Sequence, residues 1–577
     1  MVSARILAIG APVAVAAMVV VNAWAGLMPG VGFWDTGEFQ TVLPIMGTAH
    51  PTGYPTYVLL GFLANILLTP IGEPAFRITL LSLLAVATAA ATTVVIVRRL
   101  TGSTIVGIAT GLGLATTPVI WQNATRADPH PIHLAFVALL LLTLVTWQQA
   151  RRGRDAEAPG GAGGAVSAGT ASGGENPGDT GAAPTAVSDP GAATAAVSET
   201  PSDSPRAPTA SRTADRLLLL AAVLFGLAAG NHSLMLLLVP PIALYVLSVE
   251  PGIWRRWRFV LAGLGAAFGT IALVYLELPL RGGLIPAPLI YGEPATWDGF
   301  WYIALAEQFR GSLGNPFADL PGKVDQLVTL AMDELGLLAL AIPPAVIVVA
   351  RRAPRYMLLT GSAMAITVLF NEAYRNANAD IERYYLGPVL LAWTWLGILG
   401  AELAVVVGYL ANEVWSRVGR VRASERGFER AATVVAVIVG TAMLLPALGD
   451  LEARRHAADR SHDIGAQLWL DEALPAIPQG AVLVSWWSTS TPLWYAQHVL
   501  GLRPDIQVID DRTMLDRDLG RAPDVIERYL AEGRPVYAIR LPGRDLEELQ
   551  RRFLMTQVAG GGNTGVWAVQ GVLAAAR

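Results

Sequence analysis

The residue types best suited to chemistry occur in one short stretch that follows the first apolar segment. Asp35 and Glu38 stand three residues apart within Trp34–Phe39, and His50 opens the segment His50–Pro55 shortly afterwards. Ionisable groups close to apolar surface are unfavourable there and usually have a function. We therefore predict that Asp35 and Glu38 are catalytic residues in an external loop.

A purely structural alternative exists for the same two carboxylates. An acid followed three residues later by a glutamate resembles a capping box, in which both side chains accept hydrogen bonds from the free amides of a helix start. In that case Asp35 and Glu38 stabilise a helix and carry no chemistry.

Further polar residues stand at the outer ends of later apolar stretches. They are Arg126, Asp128, His130, His133, Asn231 and His232. The two histidines near residue 130 could share a helix face as metal ligands, but the adjacent prolines disrupt helical geometry and no carboxylate follows at a familiar ligand spacing. A hydrogen-bonding or structural role is favoured over a metal site.

Four arginines occur in predicted external segments: Arg281, Arg310, Arg375 and Arg383. A guanidinium at the outer membrane boundary can bind a phosphate through two parallel hydrogen bonds. Snorkelling or a loop ion pair explains many such residues equally well. The arginines are therefore candidate phosphate ligands.

Composition defines the elements that must position these residues. The 577-residue chain is 53% hydrophobic and only 15% charged, with a positive mean hydropathy, which is typical of an integral membrane protein. It has no cysteine, which excludes disulfides, thiolate metal sites and cysteine nucleophiles. A net charge of −4 gives no reason to expect nucleic acid as a partner.

Eleven stretches approach the length of about 20 residues that a helix needs to cross a bilayer. These are residues 6–27, 76–97, 104–121, 133–149, 216–230, 233–249, 258–277, 332–350, 356–371, 384–408 and 431–449. The predicted fold class is therefore an α-helical polytopic membrane protein with about 11 transmembrane helices. Residues 216–249 could instead form one long tilted helix, which would reverse the topology downstream.

Arginine clusters follow alternate predicted spans and indicate the topology. The positive-inside rule assigns these clusters to the cytoplasm, which predicts a multi-pass protein of the cell membrane with a cytoplasmic amino terminus and an extracytoplasmic carboxyl terminus. All seven histidines then lie on the external side. The first span keeps its hydrophobic length and is predicted to be a retained anchor.

Four regions follow from these patterns. Residues 1–152 form an amino-terminal transmembrane module with the first external loop, and residues 216–449 form a second module. Residues 153–215, rich in Ala, Gly, Pro, Ser and Thr, are predicted to be a disordered cytoplasmic linker. Residues 450–577 combine helical patterns with strand-like runs at 481–487, 506–509 and 536–541, which predicts a small extracytoplasmic α/β domain.

The ordered set of motifs resembles a known family. It comprises Asp35-x-x-Glu38, His50-Pro51-x-Gly53-Tyr54-Pro55, Gly230-Asn231-His232, Leu278-Pro279-Leu280-Arg281, Tyr291-Gly292-Glu293-Pro294, Trp494-Tyr495 and Arg503-Pro504-Asp505. The chain resembles a bacterial member of a membrane protein family, formerly of unknown function, that is related to the protein O-mannosyltransferases of the GT-C glycosyltransferase superfamily. Thr52 departs from the pattern, since such relatives often have a second proline there.

The resemblance implies a GT-C-like fold and an inverting transfer of a sugar from a polyprenyl-phosphate donor to a hydroxyl acceptor at the outer face of the lipid bilayer. Mannose is the first expectation for the sugar, and a protein or an envelope glycan or lipid for the acceptor. Asp35 would be the base and Glu38 its partner. The remaining predicted contacts shape the sugar site or hold the acidic loop: His50, Tyr54, Arg126, Asp128, His130, Asn231 and His232. No cofactor is assigned, and a divalent metal stays open.

Two other protein classes compete with this interpretation. A transporter or lipid flippase would also need many spans, but it usually carries polar binding groups near the bilayer midplane and repeated halves. Here the polar residues gather at the external ends of the spans, and no internal repeat is visible. A receptor or scaffold would leave the acidic cluster without a purpose.

Overall fold

The structure, a computed structural model, describes residues 2–157, 207–375, 380–418 and 424–573. Its amino-terminal part contains seven α-helices: α1 (Val2–Trp24), α2 (Trp34–Ile45), α3 (Pro55–Leu67), α4 (Pro74–Thr101), α5 (Thr104–Ala115), α6 (Pro118–Ala124) and α7 (Pro129–Glu157). Proline occupies the first helical position of α3, α4 and α6, where no backbone donor is needed. A left-handed Gly102, with φ of 79°, ends α4.

The middle of the chain is also helical. It contains α8 (Ala207–Asn231), α9 (Val239–Val249), α10 (Trp257–Tyr275), the single turn α11 (Glu277–Pro279), α12 (Trp297–Ala304), α13 (Leu320–Leu335), α14 (Ile342–Arg352), α15 (Pro354–Ala373), α16 (Leu386–Val418) and α17 (Glu425–Gly449). Between α8 and α9, His232 has extended backbone, with φ of −156° and ψ of 134°. Residues 216–249 are therefore two helical segments and not one long helix.

Seven described helices are long and apolar enough to cross a bilayer, or eight if the bent pair α5 and α6 forms one span. They cover Pro74–Thr101, Pro129–Arg152, Arg212–Asn231, Ile253–Leu284, Leu320–Arg352, Ile381–Val418 and Glu425–Gly449. All eleven predicted stretches are helical, but the count of eleven spans is not reached. Ile9–Trp24 and Ser233–Val249 are shorter apolar helices, and α5 meets α6 at 66°.

Two predictions about the connecting segments need correction. The first external loop contains two helices, α2 and α3, so Asp35 and Glu38 lie on a helix. Helix α7 continues to Glu157 and α8 begins at Ala207, so both ends of the predicted disordered segment 153–215 are helical. Extending an existing helix by a few residues needs no new nucleus. Residues 158–206 lie outside the described residues.

The carboxyl-terminal part forms the predicted α/β domain. Its elements are α18 (Leu451–Ala458), α19 (Gly465–Ala476), β1 (Val482–Ser485), α20 (Trp487–Trp494), β2 (Gln507–Asp510), α21 (Asp511–Asp516), α22 (Ala522–Ala531), β3 (Val536–Ile539), α23 (Arg544–Arg552), β4 (Phe553–Ala559) and β5 (Val566–Val572). The sheet order is β2-β1-β3-β5-β4, with β1 parallel to β2 and β3 and the last two pairs antiparallel.

The sequence predicts β1, β2 and β3 but not β4 and β5. The middle of β4 is partly or fully exposed, so it lacks the apolar run that identifies the buried strands. One apolar core joins helices from both sides of residues 158–206. Two smaller cores fill the α/β domain, and one of them also contains Val31 and Ala75 of the helical part. The parallel strands point their carboxyl ends at the helical part of the molecule, where the candidate site lies.

Candidate active site

A cavity of about 490 Å³ lies where the helical part meets the α/β domain. Its walls come from the start of α2, the segment before α3, the turn after α8, the segments around 291–313 and 370–384, and the α/β domain. The polar and aromatic lining residues are Trp34, Asp35, His50, Thr52, Tyr54, His232, Ser233, Tyr291, Gln308, Phe309, Arg310, Phe370, Tyr374, Arg383, Tyr384, Trp487, Asp511 and Arg512. The volume is in the range of cavities that bind small molecules.

Asp35 lies in the first turn of α2 and contributes a carboxylate to the cavity. Its side chain is 26% exposed, and one carboxylate oxygen lies 2.8 Å from Nη1 of Arg383. The preceding Trp34 has a φ of 58°, an uncommon conformation for a bulky residue that often occurs at functional sites. Burial alone would raise the pKa of Asp35, but the charges of Arg383 and His50 outweigh it and lower this pKa. Asp35 is therefore ionised at neutral pH.

The capping-box alternative does not describe these carboxylates. The residue that caps α2 is Phe33, and no side chain makes a capping hydrogen bond there. Asp35 pairs with Arg383, while Glu38 pairs with His50. Both acids therefore make tertiary contacts instead of satisfying the helix start.

Arg383 bridges two carboxylates. Its Nη1 lies 2.8 Å from Asp35 and 3.2 Å from Asp128, and its side chain is only 14% exposed. Asp128 also accepts a 2.7 Å hydrogen bond from Nδ1 of His130. Burial would raise the pKa of Asp128, but His130, Arg383 and Arg126 lower it far below its ordinary value. This buried, ionised network fixes the guanidinium against which Asp35 is held.

Glu38 lies behind the cavity wall. It is 1% exposed and accepts hydrogen bonds from the backbone N–H of His50 at 2.8 Å and from Nδ1 at 2.5 Å. The other ring nitrogen of His50 lies 3.3 Å from the Tyr54 hydroxyl. Burial would lower the pKa of His50, but the Glu38 carboxylate beside it raises this pKa. His50 and Tyr54 face the cavity, and Glu38 orients them.

A cluster of aromatic rings closes one side of the cavity. The rings of His130 and His232 have centroids 4.6 Å apart, and His133 and Tyr384 pack against His232. Asn231 donates a 3.1 Å hydrogen bond to the carbonyl of Pro129 and joins α8 to α7. Within the described residues no group of three or more His, Cys, Asp or Glu side chains is placed to hold a metal ion.

The predicted arginines divide into two groups. Arg310 and Arg383 line the cavity, whereas Arg281 and Arg375 do not. Arg281 donates to the carbonyls of Met46 and Ile45 at 2.8 and 3.1 Å, which holds the end of α2. Arg375 is exposed and lies against Gly314. The structure therefore gives Arg281 a structural role and places Arg310 and Arg383 at the cavity.

Arg126 lies beside this network without lining the cavity. It forms an ion pair with Asp380, and its Nε lies 4.0 Å from Asp128. The positive charge of Arg126 therefore acts on the cavity through Asp128, whose pKa it helps to lower. Of the other predicted contacts, Asn231 and His130 also stand behind the wall, and His232 reaches the cavity.

Sequence analysis did not single out the contribution of the α/β domain. Trp487, Asp511 and Arg512 line the cavity, and the ring of Trp487 meets those of Trp34 and His50 at centroid distances of 6.4 and 5.9 Å. Asp511 follows the predicted strand at 506–509. The carboxyl edge of parallel strands is where α/β proteins bind ligands, and that rule could have identified it.

The amino-terminal part of the chain matches a known protein family. Residues 35–162 match the family described as "Protein O-mannosyl-transferase TMEM260 N-terminal domain". Protein O-mannosyl-transferase TMEM260 of Mus musculus is 35% identical over 121 residues, which cover 21% of this chain and 17% of the mouse protein. The matched segment contains Asp35, Glu38, His50 and Asp128.

The whole fold is similar to that of ArnT from Cupriavidus metallidurans. The crystal structure with undecaprenyl phosphate aligns with a TM-score of 0.55 and 15% identity, covering 97% of both chains. The apo crystal structure aligns with a TM-score of 0.53. At this identity the likeness concerns the fold, which includes the small carboxyl-terminal domain.

Proposed function

We propose that this chain, which is related to the TMEM260 O-mannosyltransferases through residues 35–162 and has a GT-C fold, is a membrane glycosyltransferase. It would move a sugar from a polyprenyl-phosphate donor to a hydroxyl acceptor. The observation that carries this proposal is the Asp35 carboxylate, which faces a cavity and forms a 2.8 Å ion pair with the largely enclosed Arg383.

The proposed reaction needs one base. The acceptor oxygen attacks the anomeric carbon, the bond from that carbon to the phosphate oxygen breaks, and the acceptor proton passes to Asp35. The configuration inverts because the nucleophile enters opposite the leaving phosphate. A phosphate leaves as a stable anion, so it needs nearby positive charge more than a second carboxyl acid.

The surroundings of Asp35 suit that role. Arg383 keeps the carboxylate ionised and orients it, and its second partner, Asp128, prevents the guanidinium from turning away. His50, oriented by Glu38, and Tyr54 offer polar groups to the sugar hydroxyls. We therefore assign Glu38 as a positioning residue for His50, not as a second base.

A lipid-linked donor is supported by two observations. The cavity lies at the ends of helices that are long enough to cross a bilayer. ArnT, which shares the fold, has been crystallised with undecaprenyl phosphate. The mouse relative is called a protein O-mannosyl-transferase, which makes mannose the first sugar and a protein hydroxyl the first acceptor to test.

Transfer of radiolabelled mannose from polyprenyl phosphate mannose to endogenous membrane acceptors tests the proposal. Membranes that contain the chain should label acceptors well above membranes that lack it. Protease treatment then separates a protein acceptor, whose label becomes soluble, from an envelope glycan or lipid, whose label stays. Absence of transfer with mannose and with a panel of other polyprenyl-phosphate sugars would contradict the proposal and favour a transporter or flippase.

A further inference from the structure

The α/β domain contributes a guanidinium to the cavity that the proposed reaction has not yet used. We propose that Arg512 binds the phosphate of the lipid-linked donor, so that the donor site is complete only when the α/β domain is docked on the helices. This inference rests on the proposed function and deepens it, because it assigns the leaving phosphate to a residue outside the transmembrane modules.

Arg512 stands at the edge of the sheet where α/β domains bind ligands. Arg512 lies in α21, immediately after β2, and β2 and β1 are parallel strands whose carboxyl ends meet at this edge. Ligands of open α/β sheets bind outside this edge. Here the edge forms a wall of the cavity that also contains Asp35, so a phosphate bound there shares the cavity with the proposed base.

The Arg512 side chain is held in place by two tyrosines. The Arg512 guanidinium carbon lies 4.0 Å from the centroid of the Tyr291 ring, and Nη2 donates a 3.1 Å hydrogen bond to the Tyr302 hydroxyl. Its side chain is 13% exposed. Both tyrosines belong to the segment between α11 and α13, so the helical part orients this arginine. A planar guanidinium stacked on a ring keeps its edge free for a bidentate anion contact.

Arg512 also keeps hydrogen-bonding capacity that none of the described protein groups uses. Nε of Arg512 is buried without a hydrogen bond and lies 3.5 Å from Asp516, whose carboxylate also accepts the Gly292 N–H at 3.0 Å. In the part of the chain that the structure describes, Nη1 makes no hydrogen bond. Nε lies within ion-pair distance of Asp516, so Nη1 is the donor of this side chain that is left to bind an anion.

The other two cavity arginines are less available. Arg383 is held by two carboxylates at 2.8 and 3.2 Å. Arg310 is 57% exposed and pairs with Glu307 at 3.1 Å, so solvent weakens its interaction with any anion. Among the three cavity arginines, Arg512 therefore combines low exposure with the weakest carboxylate pairing.

The test compares the binding of polyprenyl phosphate and of the matching neutral polyprenol to the purified full chain in detergent micelles. Quenching of tryptophan fluorescence reports binding, because Trp34 and Trp487 line the cavity. The wild type should prefer the phosphate. Loss of a charged hydrogen-bonding partner corresponds to about 10- to 100-fold in affinity, so Arg512→Gln should reduce the preference by that factor.

Arg517→Gln is the matched control, since Arg517 is exposed, stands at the end of the same helix and does not line the cavity. It should keep the full preference. Inorganic phosphate should compete poorly if the lipid phosphate is the ligand; equal competition would assign the site to free phosphate and overturn the donor assignment. A wild type that binds both lipids equally, or an Arg512→Gln variant with unchanged preference, would also overturn it.

A second variant, and the separate measurement of binding and of sugar transfer, make each outcome of the experiment decisive. If Arg512→Gln does not fold, Arg512→Lys decides: it keeps the charge but loses the planar bidentate contact, so the preference should fall, and a folded lysine variant with the full wild-type preference would contradict the proposal. Binding requires no turnover. A chain that binds phosphate through Arg512 but transfers no sugar would contradict the proposed function alone, and sugar transfer with an unaffected Arg512→Gln variant would contradict this inference alone.

Discussion

At the scale of single residues, the site depends on two ion pairs that differ in exposure and in task. Asp35 and Arg383 face the cavity, whereas Glu38 is buried behind His50. The first pair presents charged groups to the cavity, and the second fixes the orientation of the His50 ring. Substitutions in the two pairs should therefore affect different measurements.

The Glu38–His50 pair predicts a dependence of stability on pH. The folded-state pKa of His50 is raised by Glu38, so the pair's stabilisation is fully present below the unfolded histidine pKa of about 6.5 and is lost as pH rises through the higher folded value. Glu38→Gln should therefore lower the melting temperature most at pH 6. The difference from wild type should shrink towards pH 9.

Asp35 and Arg383 also act on His50, but both remain in this variant. The exposed Glu532→Gln, measured in the same detergent, is the control and should show no such pH dependence. A melting difference between wild type and Glu38→Gln that is equal at pH 6 and pH 9 would refute the charged-pair interpretation.

The spacing of residues along the sequence could identify the two acids and the imidazole. It could not show which charged groups form ion pairs with them. Asp35, Glu38 and His50 stand close together in the chain, so their proximity in space was predictable. Arg383 lies in the helical turn Ile381–Tyr385 just before α16, far along the chain, and was one of four equivalent candidates. Only the packing of helices selects it, and no local pattern reports that packing.

At the scale of elements, the placement of α2 determines where Asp35 points. Gly37 in its first turns has no room for a side chain: a Cβ there would overlap the carbonyl oxygen of Gly32 and lie 2.8 Å from Oγ1 of Thr491. Thr491 belongs to α20, and its carbonyl accepts a 3.3 Å hydrogen bond from Thr41. The glycine thus allows α2 to contact the α/β domain closely.

Gly37→Ala should displace α2 and impair transfer. Overpacking of a close contact destabilises by about 1–3 kcal/mol, so the melting temperature should fall. Gly263→Ala in α10 is the control, because a Cβ there meets nothing within 4 Å. Equal melting temperatures and equal transfer rates for the two variants would show that α2 tolerates the shift.

Sequence patterns predict some of these elements and miss others. Long apolar helices and the buried strands β1 to β3 follow from composition and periodicity. Helix α2 does not, because residues buried by tertiary contact, such as Gln40 and Thr41, are polar. Helix α3 is apolar but has only 13 residues, too few to qualify as a span.

At the scale of the whole molecule, the α/β domain is joined to the helices by specific hydrogen bonds. The Tyr495 hydroxyl accepts a 3.1 Å hydrogen bond from the backbone N–H of Ala75, in the first turn of α4. Tyr495 is fully buried. The domain therefore satisfies one of the free amides at a helix start, and this contact supports the wall that carries Trp487 and Arg512.

Tyr495→Phe should loosen this junction. It leaves the buried Ala75 N–H without an acceptor, which destabilises by about 1–3 kcal/mol. We expect faster amide hydrogen exchange around Ala75 and earlier proteolysis between α17 and β1. Tyr537→Phe is the control, because in the described part of the chain the Tyr537 hydroxyl makes no hydrogen bond. Unchanged exchange in Tyr495→Phe would mean that other contacts hold the domain.

The general architecture was predictable because it depends on bulk properties. Hydrophobicity indicated a polytopic helical protein, and the loss of long apolar runs after residue 449 indicated a separate domain. The junction was not predictable, since Tyr495 and Ala75 are far apart in the chain and neither is unusual in its local sequence. The cytoplasmic amino terminus and the extracytoplasmic α/β domain stay predictions from the arginine pattern.

The proposed role of the Asp35 carboxylate as the base of a glycosyl transfer is tested by replacing it with the amide of asparagine. Transfer from polyprenyl phosphate mannose, or from whichever polyprenyl-phosphate sugar the wild type uses, is measured for Asp35→Asn and for Asp298→Asn at equal protein levels. Asp298 is exposed on α12 and does not line the cavity. Loss of a general base lowers rates by about 10²- to 10⁴-fold, so Asp35→Asn should lose transfer to that extent while Asp298→Asn keeps it. Wild-type turnover in a folded Asp35→Asn variant would contradict the account.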